Sequence, residues 1–140
     1  MTGRQRGSAS IEFTLLVPVL VLLFSLLVGG GRVWLARNSV ESMAGAAARA
    51  ASFERHADAA DAAARRLVSV QADVSGLRCV QLGVRLDADA LSRPAGTPGT
   101  VHAAVDCTVP LADILVPGWP GELLVSAEGS AVVDRYRGRK

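Results

Sequence analysis

Between Glu12 and Arg32 the chain runs for 19 residues, Phe13 through Gly31, without a single charge. At 1.5 Å per residue, a helix over that run is about 28 Å long and matches the ~30 Å hydrocarbon thickness of a bilayer. In a small water-soluble domain such a helix would have to be buried on every side; as a membrane span it needs no such cover. Arg4 and Arg6 precede it and the first six residues hold no acid. The positive-inside bias therefore sets the N-terminus in the cytoplasm and everything beyond Arg32 outside. A secretory signal peptide is the competing reading, since Val28-Gly29-Gly30 offers small residues for cleavage, but a signal peptide's apolar core is only about 7–15 residues long. Pro18 is tolerated in a membrane helix and is expected to bend it. Gly29, Gly30 and Gly31 mark the outer end of the span, with Arg32 and Trp34 as interfacial anchors. The same three glycines also read as a hinge or a close-packing face.

Glu12 is what a plain anchor leaves unexplained. A carboxylate at the edge of hydrocarbon costs a few kcal/mol and needs headgroup water, a proton or a cation. Headgroup solvation is the simpler reading. The other comes from spacing. If the chain is cut after Gly7, Ser8 becomes the new N-terminus and Glu12 lies one helical turn from its α-amino group, a cation at neutral pH.

A short basic leader ending in Gly, a Glu five residues later, an aromatic next and then an apolar helix resembles the type IV prepilin processing signature. The finer pattern Gly7-Ser8-Ala9-Ser10-Ile11-Glu12-Phe13-Thr14-Leu15-Leu16-Val17-Pro18 is similar to the TadE family of pilin-like proteins of tight-adherence (Flp-type) pilus systems. The likeness is strongest over residues 7 to about 52, and Pro18 is shared with the family. It implies a bacterial protein of the cytoplasmic membrane, single-pass, with its C-terminal domain extracytoplasmic or carried into an extracellular pilus. It also implies that an aspartyl prepilin peptidase cuts between Gly7 and Ser8, with Glu12 as the assembly carboxylate and Phe13 and Pro18 as flanking motif residues. The partners implied are the prepilin peptidase, other pilins, the pilus assembly platform and membrane lipid. The function implied is that of a minor pilin or an assembly factor. The alternative is an uncleaved, or secreted, extracytoplasmic binding module that does not polymerise.

Beyond the span, the period is helical. Val33, Ala36, Val40, Met43, Ala47 and Ala50 recur three and four apart and form one apolar seam, which narrows to Ala and Gly after Met43. A sheet or a second helix can approach such a seam closely. Phe53 to His56 interrupts it. A second helix is expected from an Asp58 N-cap to about Val70, with Asp61 and Arg65 spaced as an i,i+4 pair and Gly76 closing it. After Gly76 the period becomes two. Three apolar faces follow: Val80, Leu82, Val84 and Leu86; then Val101, Ala103, Val105, Cys107 and Val109; then Leu123, Val125, Ala127, Ala131 and Val133. Residues 87–99 and 110–122 read as exposed loops. The expected fold is α+β and pilin-like: one long N-terminal helix with a membrane half and an amphipathic half, a second short helix, and a small three-stranded antiparallel sheet. The expected layout is a leader over 1–7, a span over 8–31, an amphipathic helical region over 32–75, and a β-sheet region with a basic tail over 76–140.

Cys79 and Cys107 fall in an extracytoplasmic region, where thiols oxidise. A bridge would close 27 intervening residues. Cys107 is in phase with its apolar face and Cys79 is not, so the pairing needs a bulge or a late strand start near Cys79. The apolar loop Ile114-Leu115-Val116-Pro117-Gly118-Trp119-Pro120 either lids the core or, through Leu115 and Trp119, is a candidate partner surface. His56 and His102 lack ligand spacing, which argues against a metal site. There is no Gly-rich phosphate loop and no clustered Ser, His and acid, so neither catalysis, a cofactor nor a small-molecule substrate is expected. Without Arg4 and Arg6 the chain holds 13 basic and 13 acidic residues, too balanced for nucleic-acid binding.

Overall fold

The fold is that of a computed structural model, which describes residues 8–94, 96–114 and 120–134, side chains of 8–11 and 114 excepted. The leader with Gly7, the loop residues Leu115 and Trp119, and the basic tail lie outside the described residues. In chain order the elements are helix α1 (Ser8–Ser52), helix α2 (Ala57–Ser75), strand β1 (Gln81–Asp87), a 3₁₀ turn (Asp89–Ser92), strand β2 (Thr100–Pro110), a short helix α3 (Leu111–Ile114) and strand β3 (Glu122–Val132). The expected architecture is present: a long N-terminal helix, a second short helix, and a three-stranded antiparallel sheet of order β1-β2-β3.

Helix α1 has 45 residues and is about 68 Å long. The three glycines do not interrupt it. A Cβ added at Gly30 or Gly31 would meet nothing within 4 Å, so these positions open no close contact among the described residues. From Ala36 onward α1 packs across β2 and β3 on one face and against α2 beside them, while α2 reaches the edge at β1. The narrow seam is the reason the layers approach so closely: Val40, Met43, Ala44, Ala47 and Ala48 are all fully buried. They meet Val68 of α2 and Val105, Cys107 and Val125 of the sheet.

Helix α2 differs from expectation at its start. His56 rather than Asp58 is the N-cap, in extended conformation, and its carbonyl accepts from the Ala60 N–H at 3.0 Å. Asp58 sits instead in the first turn, where its carboxylate faces the positive end of the helix. The α2 core face is Ala60, Ala64, Val68 and Ala72, a four-residue stride that keeps small side chains toward α1. Asp61 and Arg65 do pair, at 2.6 Å on the exposed side, which raises the Arg65 pKa. Gly76 ends the helix with φ of 67°, and its N–H donates to the Asp73 carbonyl. A Cβ there meets no neighbour, so only the left-handed backbone resists one. Gly76→Ala should therefore lower stability by about 1 kcal/mol, read as a shift in urea midpoint with an unchanged denaturant slope.

The sheet follows the period of two. The registers Val84↔Val105 and Leu82↔Cys107 align the inward residues of β1 and β2, and Cys107↔Val125 and Val105↔Ala127 continue them into β3. The outward face is mostly polar and includes an Arg85–Asp106 ion pair at 2.8 Å, with Leu124 and Val132 of β3 as exposed apolar exceptions. The 87–99 connection is not wholly exposed: Ala90 and Leu91 of the 3₁₀ turn are buried with Ala51, Ala60, Val101 and Val133. This second, smaller apolar cluster closes the end of the domain farthest from the span.

Candidate functional site

The two halves of α1 behave differently. Residues 12–28 are exposed throughout, and among them Phe13, Leu16, Leu20, Phe24 and Leu27 leave half or more of their surface uncovered. No other helix among the described residues is long and apolar enough to cross a membrane. An uncovered apolar surface of this extent is not tolerated in water. It is apolar around its whole circumference, so it requires lipid or other helices on all sides. One of its polar groups is satisfied within the helix. Ser25 donates its hydroxyl to the Val21 carbonyl at 2.8 Å, the internal satisfaction that a hydroxyl in hydrocarbon needs. Pro18 lies within the helix.

Glu12 sits in the exposed part of the helix, at its N-terminal end. The next ionisable residue along α1 is Arg32, about 30 Å away at 1.5 Å per residue. Among the described residues the apolar run therefore offers this carboxylate no cationic side chain, and Ser8 stands four positions before it on the same helix. Arg32 itself is tied to the soluble domain, its guanidinium donating to the Asp113 carbonyl at 3.0 Å. That contact spans 81 residues of sequence, and nothing in the local pattern around Arg32 announces it.

Cys79 and Cys107 form a disulfide, with Cα atoms 5.3 Å apart. The ladder explains how the out-of-phase cysteine reaches its partner. Regular pairing begins at Gln81, so Cys79 precedes the strand and escapes its alternation of faces. The Val80 N–H still donates to the Thr108 carbonyl at 2.8 Å, which holds this approach against β2.

A further determinant is a glycine that the period-two reading passed over. Gly129 occupies the inward phase of β3 between Ala127 and Ala131, and a Cβ there would run into the carbonyl of Ala44 and the nitrogen of Gly45. The signal was present as a missing side chain in an otherwise regular apolar face.

Comparison with curated proteins and with solved structures gave no match. A family model does match, and it covers the part of α1 that carries Glu12, the exposed apolar run and most of the buried seam. That model is TadE-like protein, matched over residues 7–49, so the similarity lies along the apolar run and its amphipathic continuation.

Proposed function

We propose that this chain is a minor pilin, or an assembly factor, of a tight-adherence pilus, cut after Gly7 by a prepilin peptidase and built into or onto the filament through α1. The observation that carries the reading is the TadE-like match lying on a helix that is bare over its first half and packed into a domain over its second. Such a helix can stay in lipid before assembly and exchange that lipid for neighbouring helices afterwards. The chain acts as a substrate of the peptidase and not as a catalyst. Its N-terminus faces the cytoplasm and its domain the extracytoplasmic side.

In this scheme Glu12 pairs with the α-amino group that cleavage creates at Ser8, in its own chain or a neighbour's. A carboxylate and an ammonium leaving headgroup water as a pair lose less than the two would separately, because each partly replaces the other's solvation. Glu12→Ala should leave cleavage intact and lower incorporation of the mature chain into pili by about tenfold, the equivalent of about 1.4 kcal/mol. Wild-type incorporation of that variant would remove Glu12 from the mechanism. The N-terminal residue of the protein purified from its native membrane tests the processing step. A start at Ser8 is expected; a start at Met1 or Thr2 would favour an uncleaved anchored module, and a start near Gly31 a secreted domain.

A further inference from the structure

We infer that the lower end of the soluble domain, around Leu124 and Val80, rests in the interfacial layer of the outer leaflet, so that the domain is docked on the bilayer and not held clear of it. The inference rests on reading the 12–31 segment as a membrane span.

The argument is one of levels along α1. The helix continues from the span into the domain without a break, so its residue numbers serve as a height scale of about 1.5 Å per residue. Gly129 meets α1 at Ala44 and Gly45, while Val133 and Ala51 share the far cluster, so β3 rises along α1 from its start toward its end. Leu124 is five residues below Gly129, about 17 Å at strand spacing, which brings it to the level of Val33 or Trp34. Two other contacts agree with this placement. Arg32 bonds to Asp113 in α3, and the Leu111 N–H donates to the Gly121 carbonyl at 2.9 Å, so both flanks of the connection between β2 and β3 stand at the foot of the domain, beside Arg32. Thr108 is the register partner of Leu124 and also the acceptor for Val80, which sets Val80 at the same height.

That level lies within about 5 Å of Gly31, inside the headgroup region, which extends about 5–7 Å beyond the hydrocarbon on each side. The side chains found there are the kind that this layer accepts. Trp34, Leu124 and Val80 are 66%, 63% and 57% exposed, and Trp34 with Arg32 forms the aromatic and basic pair common at membrane interfaces. Val74, at 82% exposed, ends an apolar stripe on α2 with Leu67 and Val70. The Gln71–Ser42 hydrogen bond sets Val74 near the level of Ser39, about 12 Å above Gly31 at 1.5 Å per residue and so clear of the headgroups. Val132 provides the contrast. It is 73% exposed and shares the outward face of β3 with Leu124, but it stands eight residues higher, about 26 Å away along the strand.

The test uses the full chain in vesicles of phosphatidylethanolamine and phosphatidylglycerol, with a photoreactive benzoylphenylalanine at Leu124 or, separately, at Val132. Both positions are exposed, and retention of the disulfide on a non-reducing gel checks that each variant folds. Leu124 is expected to yield roughly tenfold more lipid adduct than Val132, because only the first lies within the headgroup layer. Equal lipid labelling at both positions, labelling at neither, or a protein adduct at Leu124 to a second copy would overturn the docking. If the chain is extracted from the vesicles by alkaline carbonate, the reading of the span itself fails. Resistance to extraction without lipid labelling at Leu124 overturns only the docking.

Discussion

Gly129→Ala should lower the stability of the soluble domain by about 3 kcal/mol, the upper end of the range for forcing a methyl group into a packed interior. The reason is what the methyl would strike. At most buried sites a new Cβ meets a side chain that can turn aside; here it meets the backbone of α1 at Ala44 and Gly45, and a helix cannot move one carbonyl without moving the rest. Relief would require α1 to lift from β3, which opens the layer holding Val40, Met43 and Val125. For a domain of this size the loss corresponds to a fall in Tm of about 10–20 °C, measurable by thermal scans of the full chain in detergent. Gly30→Ala is the matched control: its Cβ would meet nothing within 4 Å, so the domain should melt with the wild type. A Gly129→Ala chain that melts with the wild type would show that α1 does not pack on β3 at this distance.

Reduction of Cys79–Cys107 should lower stability by about 3–4 kcal/mol on the chain-entropy account of a loop this long. The bridge joins residues 28 apart in sequence, and it fastens the start of β1 to the central strand. Reduction is a cleaner probe than substitution, because Cys107 is fully buried and removing its sulfur would add a cavity to the lost crosslink. Urea titrations with and without a phosphine reductant should show the midpoint falling and the slope rising slightly as the unfolded chain expands. Equal midpoints would mean that the crosslink adds nothing to the stability of the fold. The effect matters because the domain is small and its interior is built largely from Ala and Val, so each buried side chain removes little area from water.

Much of this architecture was legible in residue order. An uncharged run of bilayer length, a three-and-four seam from Val33 to Ala50 and a period of two after Gly76 each reflect one element's own geometry, and each element appears in the structure. The Asp61–Arg65 pair and the Gly76 terminus are equally local. Asp58 has the more favourable cap side chain, yet the turn out of α1 delivers His56, two residues earlier, to the cap position. The Pro and Gly content of the 87–99 connection points to exposure, whereas Ala90 and Leu91 are buried with Ala51 and Val101. A loop's burial depends on what lies above it, which composition does not contain.

The candidate site divides in the same way. Glu12, Phe13, Pro18 and the apolar run are adjacent in sequence, so their pattern is a property of one stretch of chain, the stretch over which the TadE-like model matches. The contact of Arg32 with Asp113, the seat of Gly129 on Ala44 and the late start of β1 that lets Cys79 reach Cys107 are different in kind. Each joins residues far apart in sequence, and each depends on the height and distance at which two elements meet. By itself the sequence determined which stretches are helix, strand and membrane-length span, because periodicity and hydropathy act within a few residues. Only the tertiary structure decided how closely α1 lies on the sheet and at what level the domain stands above the span, because those are set by side-chain volumes summed across two packed surfaces.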